Sequence, residues 1–251
     1  MAIPRVHLPL VHLRETDSTS LLARREAQEG ADLPRLYVAD TQTGGVGRFG
    51  RAWSSPLGGL WLTLAWPLPA VGGALEGLGL RVGLACCDAL DAAIAHAGAP
   101  RRTQLKWPND VMLQGKKVGG ALCEVIPIPG GMAALLGVGI NANFPLADLP
   151  ESLRGRAGTV LDLLGIGLDL AGLRHDLTAR LIEALTVPRP PGATVALVRQ
   201  RLSGVGQPAT ITAGGATTSG VLLGLSDDGR PRLGTDAGEW TAPAGAELLL
   251  G

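Results

Sequence analysis

Four glycines and two arginines crowd residues 44–51, Gly44-Gly45-Val46-Gly47-Arg48-Phe49-Gly50-Arg51. Without a Cβ to block the approach, such a stretch can turn several backbone N–H groups toward one anion. Arg48 and Arg51 add planar, permanently charged donors that suit phosphate or carboxylate. The plainer reading is a turn carrying two solvated arginines. The stretch is no Walker A loop, since no Gly-Lys-Ser/Thr follows. Nor is it a dinucleotide fingerprint, because the glycine spacing differs and no helical pattern starts there.

Three other constellations can carry chemistry. Lys106-Trp107-Pro108-Asn109-Asp110 is followed by Lys116-Lys117-Val118-Gly119-Gly120. Pro108 breaks a strand, and Asn109 and Asp110 beside it can hydrogen-bond a ribose or hold a magnesium ion. Lys117 lies just past a turn, where it can reach over a sheet face. Lys116, pointing the opposite way along an extended chain, faces solvent. Taken singly, Asp110 also reads as a turn carboxylate. Asp17-Ser18-Thr19 precedes a helical stretch and reads as an N-cap, a role compatible with binding a polar ligand. Gly137-Val138-Gly139-Ile140-Asn141 places glycines at alternate strand positions, leaving one face open to a ligand or to a close backbone crossing. His7, His12, His96 and His175 show no partner pattern.

The elements that must position these residues follow from periodicity. Residues 34–39 read as a short strand, and 58–68 as a buried strand that Pro67 ends. Leu80, Leu84, Cys87, Leu90 and Ile94 mark the buried stripe of a helix over about 75–97. Residues 104–113 and 117–126 read as two strands joined at Gln114-Gly115, a hairpin. A further strand leads into Asn141 and Asn143, and 170–187 is an amphipathic helix. After the prolines at 188, 190 and 191 comes a short helix, then only short strands with Gly and Asp turns. That tail predicts a small antiparallel barrel, too small to be stable unless docked on the rest. The division expected is 1–204 and 205–251.

Composition narrows the function classes. The chain has 251 residues, with 46% hydrophobic and 18% charged residues, which excludes a disordered chain. Lys and Arg total 22, as do Asp and Glu, so the formal net charge is zero, unlike a protein whose main task is gripping nucleic acid or an anionic membrane. Three cysteines, Cys86, Cys87 and Cys123, make no disulfide framework and no zinc spacing. No signal peptide is read at the start, so a cytoplasmic setting is expected.

Taken together and in order, DSTS (17–20), TQTGGVGRFGRAWSSP (41–56), KWPNDVMLQGKKVGGALCE (106–124) and GVGINAN (137–143) closely resemble the bacterial biotin–protein ligases of the monofunctional type. The tail SGVLLGLSDDGRPRL (219–233) resembles their SH3-like barrel. The resemblance implies an α+β fold: a mixed sheet with packed helices, of the kind shared with class II aminoacyl-tRNA synthetases and lipoate ligases, plus a small C-terminal SH3-like β-barrel. It implies that ATP and biotin combine, with Mg²⁺ carried by ATP, into biotinyl-5′-AMP, and that biotin then passes to a lysine of a biotin carboxyl carrier protein, usually the carrier domain of acetyl-CoA carboxylase.

By the same resemblance, Ser18, Thr19, Ser20, Gln42, Gly45, Val46, Gly47, Arg48, Lys117, Gly120 and Gly137 bind biotin. Arg48, Arg51, Trp53, Lys106, Asn109, Asp110 and Asn141 form the nucleotide side. Lys117 and Arg48 are the catalytic pair, and the glycine loop is a segment that orders over the ligands. Two departures stand out: Val46 occupies a position where many members carry a basic residue, and Ser20 replaces a common Asn. The resemblance further implies no specific DNA partner, no membrane, and an option of homodimerisation. Rival readings are a lipoate or octanoate ligase or transferase of the same superfamily, and a non-catalytic biotin sensor. A thioester-forming transferase needs an activated cysteine, and Cys123 is its one candidate near the motifs.

Overall fold

A computed structural model describes residues 7–68, 77–190 and 192–250. Its frame is an eight-stranded mixed sheet. The strands are β1 (Leu10–Thr16), β2 (Arg35–Val46), β3 (Ala52–Ser55), β4 (Leu60–Leu68), β5 (Gln104–Lys106), β6 (Asp110–Leu113), β7 (Lys116–Ile128) and β8 (Gly131–Ile140). They run in the order β1-β2-β4-β8-β7-β6-β5, with β3 folded back on β2. Only β1 and β2 pair in parallel; the other neighbours are antiparallel.

Side-chain alternation divides the sheet into two faces. Leu36, Val38, Leu62, Leu64, Leu136 and Val138 point into one core, packed under α2 (Leu78–His96) and α5 (Leu170–Thr186). Tyr37, Ala65, Ile126 and Leu135 point the other way, where Ala23 and Ala27 of α1 (Thr19–Gln28) cover them. Small side chains let α1 lie close, but its ten residues cover only one end of that face. In line with Ala65 and Leu135, Thr63 lies under the first turn of α1, and past it come Gly137 and Gly139, where the face is left open.

Two short helices, α3 (Glu151–Arg154) and α4 (Val160–Leu164), follow β8, and α6 (Ala193–Arg199) leads to a second sheet. That sheet is antiparallel, with β9 (Pro208–Ala213), β10 (Ala216–Leu225), β11 (Pro231–Thr235), β12 (Gly238–Thr241) and β13 (Glu247–Leu250) in the order β12-β11-β10-β9-β13. It docks on the large one: Ile211, Leu222, Leu225, Leu233 and Leu248 belong to the same core cluster as α2. The Trp107 indole N–H donates to the Gly229 carbonyl at 2.9 Å, and β5 bridges to Leu202. Among the described residues no helix is long and apolar enough to cross a membrane.

Three sequence expectations need correction. Pro67 does not end β4, which runs on to Leu68 with Pro67 opposite Ala133. Residues 104–113 are not one strand: at Trp107-Pro108-Asn109 the chain reverses and Lys106 pairs antiparallel with Asp110. The short strand at 34–39 extends into the glycine stretch as far as Val46, because β3 supplies a partner for Gly45 and Val46.

Candidate active site

A cavity of about 830 Å³ opens on the uncovered face of the large sheet. One end is built of hydroxyls. Ser18 is the N-cap of α1, its Oγ accepting from the Leu21 N–H, so Ser18, Thr19 and Ser20 sit where the first turn of the helix meets the sheet. The Thr19 N–H and hydroxyl both donate to Gln42 Oε1, at 2.8 and 3.1 Å, and Gln42 Nε2 donates to Ser55 Oγ at 2.7 Å. Thr63 stands behind them, its hydroxyl 2.9 Å from those of both Thr19 and Ser20.

The middle of the cavity is cationic. Lys117 Nζ lies 2.6 Å from Asp110 Oδ1 and 5.1 Å from the Trp53 ring centroid. Lys106 approaches the same carboxylate at 4.0 Å, and burial lowers its pKa. Arg48 is half-buried, reaches the Ala246 carbonyl, and has its pKa lowered by burial as well. Arg51 pairs with Glu247 of β13, Nη2 to Oε2 at 2.6 Å, which holds the Glu247 carboxyl below its usual range. With Arg156, five cations line the cavity beside two carboxylates, an arrangement suited to an anionic ligand.

A register shift makes the middle possible. In a regular strand, Lys117 and Gly120 would point to opposite faces. Between Val111 and Met112 the pairing slips, so that Met112 faces Lys117 while Val111 faces Gly119. The extra residue in β7 returns Lys117 and Gly120 to one side: a Cβ built on Gly120 would lie 3.5 Å from Lys117 Cε. Lys116 points away and donates to the Gly155 carbonyl at 2.7 Å.

Trp53, Asn109 and Asn141 complete the lining. A Cβ at Gly139 would lie 2.6 Å from Trp53 Nε1, so the glycine makes room for the indole. Asn109 is buried and donates to the Ala121 carbonyl. Asn141 donates to the Gly158 carbonyl at 3.0 Å, while its buried Oδ1 has no partner, and neither has Trp53 Nε1. Unpaired buried groups of this kind are costly and point to a ligand that satisfies them.

All the residues expected at the site line this one cavity except Gly45. A Cβ on Gly45 would collide with the Trp53 carbonyl, so the residue keeps β2 and β3 together. Gly137, by contrast, makes room for Ser20, whose Oγ would lie 2.5 Å from an added Cβ. Sequence reasoning passed over Thr63, Ser55, Arg156, Glu247 and the segment Ser203–Gln207; of these, Arg156, Glu247, Ser203, Gly204, Val205 and Gln207 line the wall. Thr63 had a signal, a lone hydroxyl within the apolar run Leu60-Trp61-Leu62-Thr63-Leu64; Glu247 had none. Cys123 is no activated nucleophile: burial pushes its thiol up to about 12. Among the described residues no group of three or more His, Cys, Asp or Glu side chains stands ready for a metal ion.

Comparison with known proteins adds four findings. A family model described as the biotin/lipoate A/B protein ligase family matches residues 13–143. The biotin–[acetyl-CoA-carboxylase] ligase of Paracoccus denitrificans is 33% identical over 250 residues, covering 95% of this chain and 99% of that one. The bifunctional ligase/repressor BirA of Bacillus spizizenii is 32% identical over 166 residues, and the match spans only half of that longer protein. Among solved structures, the Aquifex aeolicus biotin protein ligase in complex with biotin and ATP superposes with a TM-score of 0.82 at 28% identity, covering 97% of this chain and 99% of that one.

Proposed function

This chain belongs to the biotin/lipoate A/B protein ligase family, and from that premise we propose how its cavity serves biotin–protein ligation. The enzyme activates biotin with ATP and transfers it to a lysine of a biotin carboxyl carrier protein. The observation that carries this reading is the set of groups gathered in one cavity: hydroxyls and an amide, five cations, and an indole N–H with an unpaired amide oxygen. That set suits biotinyl-5′-AMP, with the hydroxyls and amide toward the biotin head and the mixed anhydride over the cations.

In the first step a biotin carboxylate oxygen attacks the α-phosphorus of ATP and pyrophosphate leaves. Two anions must meet, and Lys117, with Arg48 beside it, offsets their repulsion and the charge that builds on the phosphoryl oxygens. Ser18, Thr19, Ser20 and Gln42 hold the biotin head. Trp53, Lys106, Asn109, Asp110 and Asn141 hold the nucleotide, and Arg51 the phosphates. In the second step the lysine amine of the carrier attacks the acyl carbon, AMP leaves, and an amide forms. No protein nucleophile enters either step. Mg²⁺ shields phosphate charge and comes with ATP; of the two cavity carboxylates, Asp110 is engaged by lysines and Glu247 by Arg51.

The glycine stretch closes the cavity as the β2–β3 hairpin and shields the water-labile anhydride. The zero net charge favours an enzyme without a specific DNA or membrane partner, and the free thiols of Cys86, Cys87 and Cys123 fit a cytoplasmic setting. The outer edge of β1, which ends the sheet, is where a second copy would pair in a homodimer. The test is mass spectrometry of a purified carrier domain incubated with this protein and MgATP. Biotin should add one biotinyl group, and lipoate in its place should add nothing. Modification with lipoate instead would reassign the substrate.

A further inference from the structure

Thr63 is fully buried and does not line the cavity, yet it touches both Thr19 and Ser20. Its hydroxyl carries one proton, and the protons of the three hydroxyls can be counted. Gln42 Oε1 lies 2.8 Å from the Thr19 N–H, a place only an acceptor can fill, so the Gln42 amide is fixed. The Thr19 hydroxyl proton therefore goes to that same oxygen, at 3.1 Å. The 2.9 Å contact between Thr19 and Thr63 must then use the proton of Thr63, and the 2.9 Å contact between Thr63 and Ser20 the proton of Ser20. The chain runs one way: Ser20 to Thr63, Thr63 to Thr19, Thr19 to Gln42.

The consequence reaches the ligand. With every proton committed inward, Ser20 and Thr19 present only oxygen lone pairs to the cavity. We propose that Thr63 is a positioning residue that fixes the polarity of this relay, so that the biotin end of the cavity accepts the two N–H donors of a cyclic urea and rejects a ring carrying an acceptor there. The proposal rests on reading this end as the biotin-head site. Without the Thr63 hydroxyl, Ser20 is free to rotate and donate, and discrimination at its position is lost.

Calorimetric titration tests this with biotin and with an analogue in which one ureido N–H is replaced by a ring oxygen. Thr63→Val should weaken biotin binding on the order of tenfold, the scale set by leaving buried hydroxyls unpaired, and should narrow the biotin-to-analogue preference. Thr63→Ser should restore both, and the KM for ATP should not move in either. Should Thr63→Val not fold, Thr63→Ala serves the same comparison. Wild-type biotin affinity in the valine variant overturns the proposal. So does weakened affinity with an unchanged preference, which is what a purely structural role would give. A wild-type chain that binds no biotin would overturn the reading of the site itself.

Discussion

Replacing Lys117 by Ala should slow formation of biotinyl-AMP about a hundredfold. Two unit charges about 4 Å apart in a partly screened protein site attract by about 4 kcal/mol. The Lys117 side chain is one-third exposed, and solvent takes part of that. About 3 kcal/mol then remains for a contact that strengthens as the carboxylate meets the phosphate, roughly two factors of ten in rate. Removing the lysine also frees Asp110, whose Oδ1 now lies 2.6 Å from the ammonium, to repel the incoming anions. Asp110→Asn in the Lys117→Ala background should therefore recover part of the loss. The assay is single-turnover adenylate formation at saturating biotin and MgATP. Lys116→Ala is the control: its ammonium caps the Gly155 carbonyl, and its loss should change the rate less than about threefold, as for an exposed contact. A crippled Lys116→Ala variant beside a healthy Lys117→Ala would refute the strand register, and two healthy variants would refute the catalytic assignment.

Other outcomes are expected at other points of the site. Gly139→Ala should push the Trp53 indole aside at a cost of about 1–3 kcal/mol, raising the KM for ATP while leaving biotin affinity nearly unchanged; the reverse pattern in steady-state kinetics would put Trp53 at the biotin end. Residues 44–50, with Phe49 largely exposed, should exchange amide hydrogens readily and slow sharply when biotin or its adenylate binds; equal exchange in both states would remove the closing role given to the hairpin. Arg25 holds the Asp17 carboxyl down at about 2, so this pair stabilises the fold above the ordinary carboxylate range near pH 4 and ceases to as pH falls toward 2. Both side chains are about half exposed, so solvent screens the pair and keeps the effect small. Urea unfolding of Asp17→Asn should match wild type at pH 2 and fall short at pH 6, and a pH-independent difference would argue against the ion pair.

The chain itself discloses the parts of the site that depend on local rules. The hydroxyls at 18–20 precede a helix, the glycines at 137 and 139 alternate in an apolar strand, and Lys117 follows a Gln-Gly turn, so each can be located from its neighbours. What stays hidden depends on tertiary pairing. The slip that brings Lys117 and Gly120 to one face is a property of β6 against β7, and strict alternation gives the opposite answer. The reversal at Pro108 needs β6 to lie beside β5. Glu247 meets Arg51 across nearly two hundred residues, in another sheet, where no periodicity connects them. The lone Thr63 is visible in its strand, but its use emerges only when α1 is laid across it.

The cavity wall is drawn from two sheets that share one core, and the segment Ser203–Gln207 with β13 closes it from the smaller side. A ligand lying between them is held by both and so acts as mortar. Its binding free energy adds to the cohesion of the joint, by RT ln(1 + [L]/Kd), rather than to either sheet alone. In the empty protein the joint rests on the shared core and on the Trp107 indole N–H bonded to the Gly229 carbonyl. With the adenylate in place, parting the two sheets also costs the ligand, so melting should shift to a higher temperature. Any substitution that only weakens the joint should then be masked in cells rich in biotin and exposed in cells starved of it.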